Sequence, residues 1–234
     1  PRLISSAASD VYKRQVNYYD GQGFMVPKKL GVKSAKELDG ASVCIQTGTT
    51  TELNLAEFFA GSKMKYNPVP IETNAEAQEL YKAGRCDVYT TDASGLYATK
   101  MSFDNPDAHA VLPEIVSKEP LGPVVRHGDD QWADIVSWVL RAMMAAEEKG
   151  ITSKNVKKLA SQDNKDKEIN RLLGKDPLQG ISKLGLSADW AVNVISQVGN
   201  YAESFERNLF PLTIVRGMNA LYRDGGLHYI PPIK

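Results

Sequence analysis

Cysteine and histidine are scarce in this sequence. Its 234 residues include only two cysteines, Cys44 and Cys86, and three histidines, His109, His127 and His228. The histidines are scattered and no spacing matches a zinc site, so we expect no metal site. Two cysteines also exclude a small scaffold held together by many disulfides.

Long apolar runs and an excess of charge of either sign are absent as well. Apolar stretches such as 133–146 are interrupted by charge or by amphipathic spacing, and they fall short of the roughly 20 residues that span a bilayer. Lysine plus arginine and aspartate plus glutamate number 28 each, so no strong field favours nucleic acid or an anionic membrane. A small neutral or zwitterionic partner fits this composition better.

The first fifteen residues, PRLISSAASDVYKRQ, differ in character from the rest of the chain. They have no initiating methionine, no signal-peptide core and no clear period. The phrase LISSAASDVYKRQ resembles a translated sequencing adapter, so we expect residues 1–15 to be non-native and the genuine chain to begin near Val16. A disordered natural tail is the alternative.

Short β-branched runs alternate with helix-length segments between residues 24 and 117. This alternation predicts an α/β fold with a parallel sheet and crossover helices. Around residues 119–132 two prolines and two glycines mark a change of character. Beyond them the pattern predicts a mostly helical region, including helices over 187–209 and 213–226.

Two of the predicted strands, 42–46 and 86–91, run directly into polar segments. In open parallel sheets ligands collect at the carboxyl ends of the strands. After the first strand, Gly48 lets the backbone approach a ligand, and the amides of Thr49–Thr51 open a helix whose dipole favours an anion. After the second strand, Asp92 would attract a cation. An anion site beside a carboxylate suits a free amino acid.

Each of these features also has a purely structural interpretation. A threonine-rich turn before a helix can be plain N-capping, and Asp92 can be a helix cap. Phosphate is disfavoured as the anion because QTGTTTE lacks the lysine of a P-loop.

Several segments together resemble the periplasmic general L-amino-acid-binding proteins of Gram-negative bacteria. They are VNYYDGQGFMV, LDGASVCIQTGTTTELNLAEFF, MKYNPV, GRCDVYTTDASGLYA, VLPEIVSKEPLGPVVRHGDDQW, NYAESFERNL and RGMNALYRDGGLHYIPPIK. The resemblance runs from Val16 to Lys234 and is most specific in Cys44–Glu52 and Gly84–Asp92.

The resemblance implies a receptor of an ABC importer in the periplasm. Its expected partners are polar L-amino acids, such as glutamate, glutamine, aspartate and histidine, and the transmembrane subunits of the ABC permease. We expect a monomer with no cofactor and no nucleic-acid partner.

The family fold has two α/β lobes that close on the ligand about a hinge. The resemblance implies that 16–23 form the end of the first lobe and the hinge, and that 24–117 form a nearly complete second lobe. Residues 118–234 would form the hinge return, first-lobe helices and a helical C-terminal extension. Most of the first lobe, with its carboxylate-clamping arginine, and the signal peptide would precede Val16. We therefore expect this chain alone to bind amino acids weakly or not at all.

Residue roles follow from the resemblance by motif. Thr50 would bind the ligand carboxylate through its amide and hydroxyl, with Gly48 and Thr49 shaping the loop, and Asp92 would take the α-ammonium group. Cys44 and Cys86 fall on neighbouring strands of this fold. Either a disulfide or a pair of buried reduced thiols is compatible with that placement.

The same two-lobe fold also hosts enzymes with dehydratase-like and lytic-transglycosylase-like activities. Catalysis would require a general acid or base beside the cleft. The predicted sheet edge offers Asp92 and threonines, with no histidine and no second carboxylate, so we expect a binding protein and not an enzyme. A tethered sensor module and a helical interaction domain are further alternatives, and the α/β alternation disfavours the latter.

Overall fold

The computed structural model describes residues 12–13, 15–176 and 180–233, so the prediction for residues 1–15 lies almost entirely outside the described residues. The described chain divides into two compact units. Unit 1 is Tyr19–Leu121, and unit 2 comprises 12–13, 15–18, 122–176 and 180–233. None of the helices in these ranges is both long and apolar enough to cross a membrane.

The regular elements are numbered in chain order. The strands are β1 (Tyr12–Lys13), β2 (Tyr18–Asp20), β3 (Gln22–Pro27), β4 (Ser42–Gln46), β5 (Asn67–Ile71), β6 (Val88–Asp92), β7 (His109–Val111), β8 (Glu119–Leu121) and β9 (Val124–Val125). The α-helices are α1 (Thr50–Gly61), α2 (Asn74–Lys82), α3 (Ala93–Met101), α4 (Asp130–Glu148), α5 (Val156–Ser161), α6 (Lys167–Leu172), α7 (Trp190–Val198) and α8 (Tyr201–Leu209).

Unit 1 is built on a five-stranded sheet with the order β5-β4-β6-β3-β7. Strand β4 is parallel to β5 and β6, whereas β3 is antiparallel to both β6 and β7. The α/β class is therefore right, and the prediction of a wholly parallel sheet is wrong at β3, which runs opposite to the other four strands. Strand β3 lies between β6 and β7, which are distant in the chain, so no single crossover helix joins it to a neighbour and sets its direction.

Helices cover both faces of this sheet. Side chains alternate along each strand, so Val43 and Ile45 of β4 pack with Leu55 and Phe59 of α1 on one face. Cys44, between them, joins a second cluster on the other face. That cluster contains residues of α2 and α3: Ala77, Tyr81 and Leu96. The sheet is thus the middle layer of a three-layer sandwich.

Unit 2 is mostly helical, as predicted, but its helices are shorter than expected. The long helix α4 packs against α7 and α8. The single helix predicted over 187–209 is instead two helices, because Gly199 adopts φ +83° and ends α7. Asn200 then begins α8, forming a capping box with Glu203.

The predicted helix over 213–226 is also wrong. Only two short 3-10 turns occur there, at Gly217–Asn219 and Tyr222–Asp224. Gly217 and Gly225 adopt φ +48° and +85°, which interrupts a regular helix. The helical C-terminal region therefore ends near residue 212, at a 3-10 turn after α8.

Candidate ligand-binding site

The carboxyl ends of β4 and β6 lie side by side. The strands are parallel neighbours, with Cys44 opposite Tyr89. Each strand leads into a helix, α1 after β4 and α3 after β6. The structure therefore brings the two polar segments selected from the sequence to one edge of the sheet.

Asp92 lies on the sheet face that α1 covers. Val88 of the same strand packs in the core beneath α1, and alternation places Thr90 and Asp92 on that face too. Gln22 of β3 is opposite Asp92 in the register, and its Nε2 donates to the Thr51 carbonyl of α1 at 3.1 Å. The first turn of α1 and Asp92 thus share both an edge and a face of the sheet.

The turn before α1 is shaped by Gly48 and Thr49. Gly48 adopts φ +70°, a conformation that glycine tolerates at low cost. Thr49 is the N-cap, and its Oγ1 accepts from the Glu52 N–H at 3.3 Å. The Glu52 carboxylate accepts from the Gly48 N–H at 2.8 Å. The N–H groups of Thr50 and Thr51 then stand at the positive end of α1, where a helix supplies no internal acceptor and an anion is favoured.

Asp92 occupies the N-cap position of α3, but its side chain makes no capping hydrogen bond. Asp92 is therefore a helix cap by position only, and its carboxylate does not cap α3. The residue is half-buried. Burial raises the pKa of this carboxyl group, and the negative charges of Asp20 and Glu119 raise it further.

Asp20, which lies just before the predicted hinge and could line the cleft, and Glu119, which was not selected from the sequence, both bring charge to this site. The expectation that Asp92 would be the only carboxylate at this edge is wrong, because β2 and β8 form a two-stranded sheet that carries both. Asp20 is buried and its carboxylate accepts from the Ser94 hydroxyl at 2.5 Å. Glu119 accepts from the Ser117 hydroxyl at 3.0 Å. Pairing between segments so far apart in the chain leaves no local signal in the sequence.

The site therefore combines helix N–H donors with a region of negative potential. A ligand with an ammonium group and a carboxylate matches both parts. In the described ranges no group of three or more His, Cys, Asp or Glu side chains has the arrangement of a metal site.

Cys44 and Cys86 form a disulfide, with their Cα atoms 5.6 Å apart. Cys86 lies two residues before β6 begins at Val88, whereas the sequence placed it inside the strand. The bond links β4 to the segment entering β6. The disulfide therefore links the strands β4 and β6. The candidate site lies at the carboxyl ends of these strands, away from the entry to β6.

A cavity of about 380 Å³ lies in unit 1, at the end of the sheet opposite the candidate site. Its lining includes the cationic residues Lys28, Lys29 and Lys82. It also includes Tyr81, whose hydroxyl is hydrogen-bonded to His109 Nδ1 at 2.8 Å. Sequence analysis did not identify this cavity, and it shares no residue with the site at the strand ends.

Fold and site together define an α/β protein with a candidate small-solute site at a sheet edge, and comparisons with known proteins place it more closely. No family model matches the chain. It is 57% identical to the general L-amino acid-binding periplasmic protein AapJ of Rhizobium johnstonii, over 94% of this chain and 65% of that protein. It is 54% identical to the glutamate/glutamine/aspartate/asparagine-binding protein BztA of Rhodobacter capsulatus, again over 94% and 65%.

A solved structure matches the whole fold. It is an ABC transporter periplasmic binding protein from Brucella ovis with glutathione bound, 50% identical to this chain. The superposition has a TM-score of 0.90 and covers 98% of this chain and 73% of that one. This chain belongs to the family of periplasmic binding proteins of ABC transporters. It spans about 65% of the length of the curated relatives that it matches.

Proposed function

We propose that this chain is the substrate-binding component of an ABC importer. It captures polar L-amino acids in the periplasm and delivers them to the transmembrane permease subunits. The proposal rests on one observation: the Thr50 and Thr51 N–H groups of the α1 first turn and the Asp92 carboxylate lie on one face and at one edge of the sheet.

The ligands named for the relatives share one chemical feature. They are L-amino acids, the group glutamate, glutamine, aspartate and asparagine, and glutathione. Each carries an α-ammonium group beside an α-carboxylate, which glutathione retains in its γ-glutamyl residue. This shared zwitterion supports glutamate, glutamine, aspartate and histidine as ligands, and it makes glutathione a further candidate.

Each site residue has a role in this proposal. Thr50 binds the ligand carboxylate through its N–H and hydroxyl, while Gly48 and Thr49 set the turn that presents them. Asp92 accepts the α-ammonium group. A bound ammonium would also lower the pKa of Asp92 toward its ordinary value, because it offsets the repulsion from Asp20 and Glu119.

We propose that the second lobe of the family corresponds to 24–117, within unit 1. The paired strands β2 and β8 serve as its hinge strands. Residues 16–23 and 118–234 then comprise the hinge ends and the helices of the first lobe. The boundaries of unit 1, Tyr19 and Leu121, support this division because each lies in a paired strand.

We also propose that the protein does not transform its ligand. The relatives are named as binding proteins, which supports this. The enzyme alternative gains from the structure, since a carboxyl group with a raised pKa beside other carboxylates can act as a general acid. An unchanged ligand spectrum after prolonged incubation would support binding without turnover, and a new product would contradict it.

A nuclear magnetic resonance titration tests the binding proposal directly. The ¹⁵N-labelled chain is titrated with L-glutamate, L-glutamine, L-aspartate, L-histidine and glutathione up to about 50 mM, a range that detects weak complexes. We expect shifts of the Thr50, Thr51 and Ala93 amides. N-acetyl-L-glutamate, which lacks the ammonium group, should bind more weakly than L-glutamate.

Two variants test whether the amide shifts depend on the Asp92 carboxylate. Asp92→Asn should remove the shifts, whereas Asp107→Asn, which changes an exposed carboxylate elsewhere in unit 1, should leave them intact. Shifts centred on Lys28, Lys29 and His109 would place the ligand in the other cavity and overturn the site. Because this chain alone is expected to bind weakly or not at all, absence of shifts that persists in a chain extended by the upstream first lobe would overturn the binding proposal.

A further inference from the structure

Gln22 is buried at the start of β3, with 1% of its surface exposed. Its Nε2 donates to the Thr51 carbonyl of α1 at 3.1 Å and to Thr90 Oγ1 of β6 at 3.0 Å. Both hydrogens of the amide nitrogen are therefore used, one on each element that carries the site. The Thr51 carbonyl can only accept, which fixes the orientation of the amide.

The bonds around Gln22 continue into the sheet. Thr90 Oγ1 donates to the Gly23 carbonyl at 2.7 Å, so its hydroxyl both accepts and donates. The Gln22 backbone N–H donates to Ser117 Oγ at 2.9 Å, and the Val116 N–H donates to the Gln22 carbonyl. Main chain and side chain of Gln22 are thus held at the same time.

One atom of this side chain has no partner. Gln22 Oε1 is buried without a hydrogen bond to any described residue. A buried acceptor without a partner is costly, and native proteins keep few of them. Gln22 thus keeps two donated bonds at the cost of one unpaired acceptor. Methionine has a similar length and removes that acceptor together with both bonds, so it tests the link between α1 and β6.

We propose that Gln22 is a positioning residue for the ligand-binding site. It links the first turn of α1 to β6, and so fixes the separation between the Thr50 and Thr51 N–H groups and the Asp92 carboxylate. The Gln22 backbone is opposite Asp92 in the register, so the link is anchored beside the carboxylate itself. The effect on ligand affinity rests on the proposed function, whereas the link is a property of the free protein.

The free protein gives the first test. In Gln22→Met we expect the Thr50 and Thr51 amides to gain motion, seen as increased ¹⁵N relaxation dispersion, while the second half of α1 is unchanged. Gln46→Met is the matched control, because Gln46 Nε2 donates to the Glu72 carbonyl at the same edge, at 2.9 Å, and the bond from Thr49 Oγ1 goes to the Gln46 main-chain carbonyl, which the change keeps. Unchanged dispersion in Gln22→Met would overturn the proposal.

Ligand affinity gives the second test. Gln22→Met should weaken L-glutamate binding about tenfold, the equivalent of roughly one net hydrogen bond. It should change the affinity for N-acetyl-L-glutamate much less, because that ligand engages only one of the two groups being aligned. An equal loss for both ligands would indicate general damage to unit 1 and would contradict a positioning role.

Thr90→Val provides a second route to the same link. It removes the acceptor from β6 with little change in volume, and we expect the same pattern of motion and affinity as for Gln22→Met. The double variant should be no worse than either single variant, since both break one link. If neither this chain nor a chain extended by the upstream first lobe binds an amino acid, the proposed function fails, while the relaxation measurement still decides the role of Gln22.

Discussion

Asp92 is a residue at which the proposed ligand binding and stability oppose each other. Burial and two neighbouring carboxylates raise its pKa in the folded chain. Between the ordinary aspartate pKa and this raised value, the folded state binds more protons than the unfolded state. Stability therefore falls as pH rises through that window, and at neutral pH the ionised carboxylate destabilises the ligand-free fold.

Asp92→Asn should accordingly stabilise the ligand-free chain at pH 7 while abolishing the amino-acid response. We expect the Tm of unit 1 to rise by about 2 °C, the effect of a modest gain in the free energy of unfolding. Thermal unfolding followed by circular dichroism measures the change, with Asp107→Asn as the comparison. A lower Tm for Asp92→Asn would mean that the carboxylate supports the fold.

The residues of the candidate site differ in whether their surroundings come from neighbours in the chain or from distant segments. Gly48, Thr49, Thr50 and Asp92 could be selected from the sequence, because turn chemistry and helix starts depend on neighbours in the chain. Gln22 could not, since its importance comes from contacts with Thr51 and Thr90, 29 and 68 positions away.

At the scale of elements, the disulfide between β4 and the entry to β6 is the covalent support of the site. The bond closes a loop with a sequence separation of 42. By loop-closure entropy, such a bond stabilises the fold by about 4 kcal/mol.

Replacing both cysteines by alanine should therefore lower the free energy of unfolding of unit 1 by about 3 to 4 kcal/mol. Urea denaturation at equilibrium measures the difference, with thiol titration of the unfolded wild-type chain establishing that the bond is present. If the double variant unfolds at the wild-type urea concentration, the bond contributes nothing to the fold.

Whole elements were predictable where their signals are short-range. Helix α1 begins at Thr50, within the Thr49–Thr51 segment predicted to open it, because the threonine cap lies next to it. The direction of β3 was not predictable, since it depends on partners as distant as β6 and β7. The break between α7 and α8 was missed because apolar spacing continues across Gly199.

At the scale of the molecule, unit 2 contains an acid-sensitive residue. His228 is 3% exposed, and its Nε2 lies 3.1 Å from the Tyr201 hydroxyl. Burial, with the positive charge of Arg216, lowers the pKa of His228 to about 4. Since the unfolded state takes up a proton at higher pH than the folded state, this contribution to stability is complete above about pH 6.5 and is lost as pH falls toward 4.

Unit 2 should therefore lose stability on acidification from pH 6.5 to pH 4, by at most about 3 kcal/mol from this histidine. All three tryptophans, Trp132, Trp138 and Trp190, lie in unit 2, so their fluorescence follows its unfolding alone. His228→Gln should flatten the pH dependence, whereas His127→Gln, at an exposed position, should keep it. Equal pH dependence in the wild type and His228→Gln would exclude His228 as the source.

The position of β3 has a consequence for how the chain is made. It leaves the ribosome before the rest of the sheet, yet its place is between β6 and β7, whose last residue is Val111. A nascent chain shorter than this cannot complete the sheet, however long β3 has been exposed. Unit 1 therefore completes its sheet late in synthesis, after residue 111 has emerged.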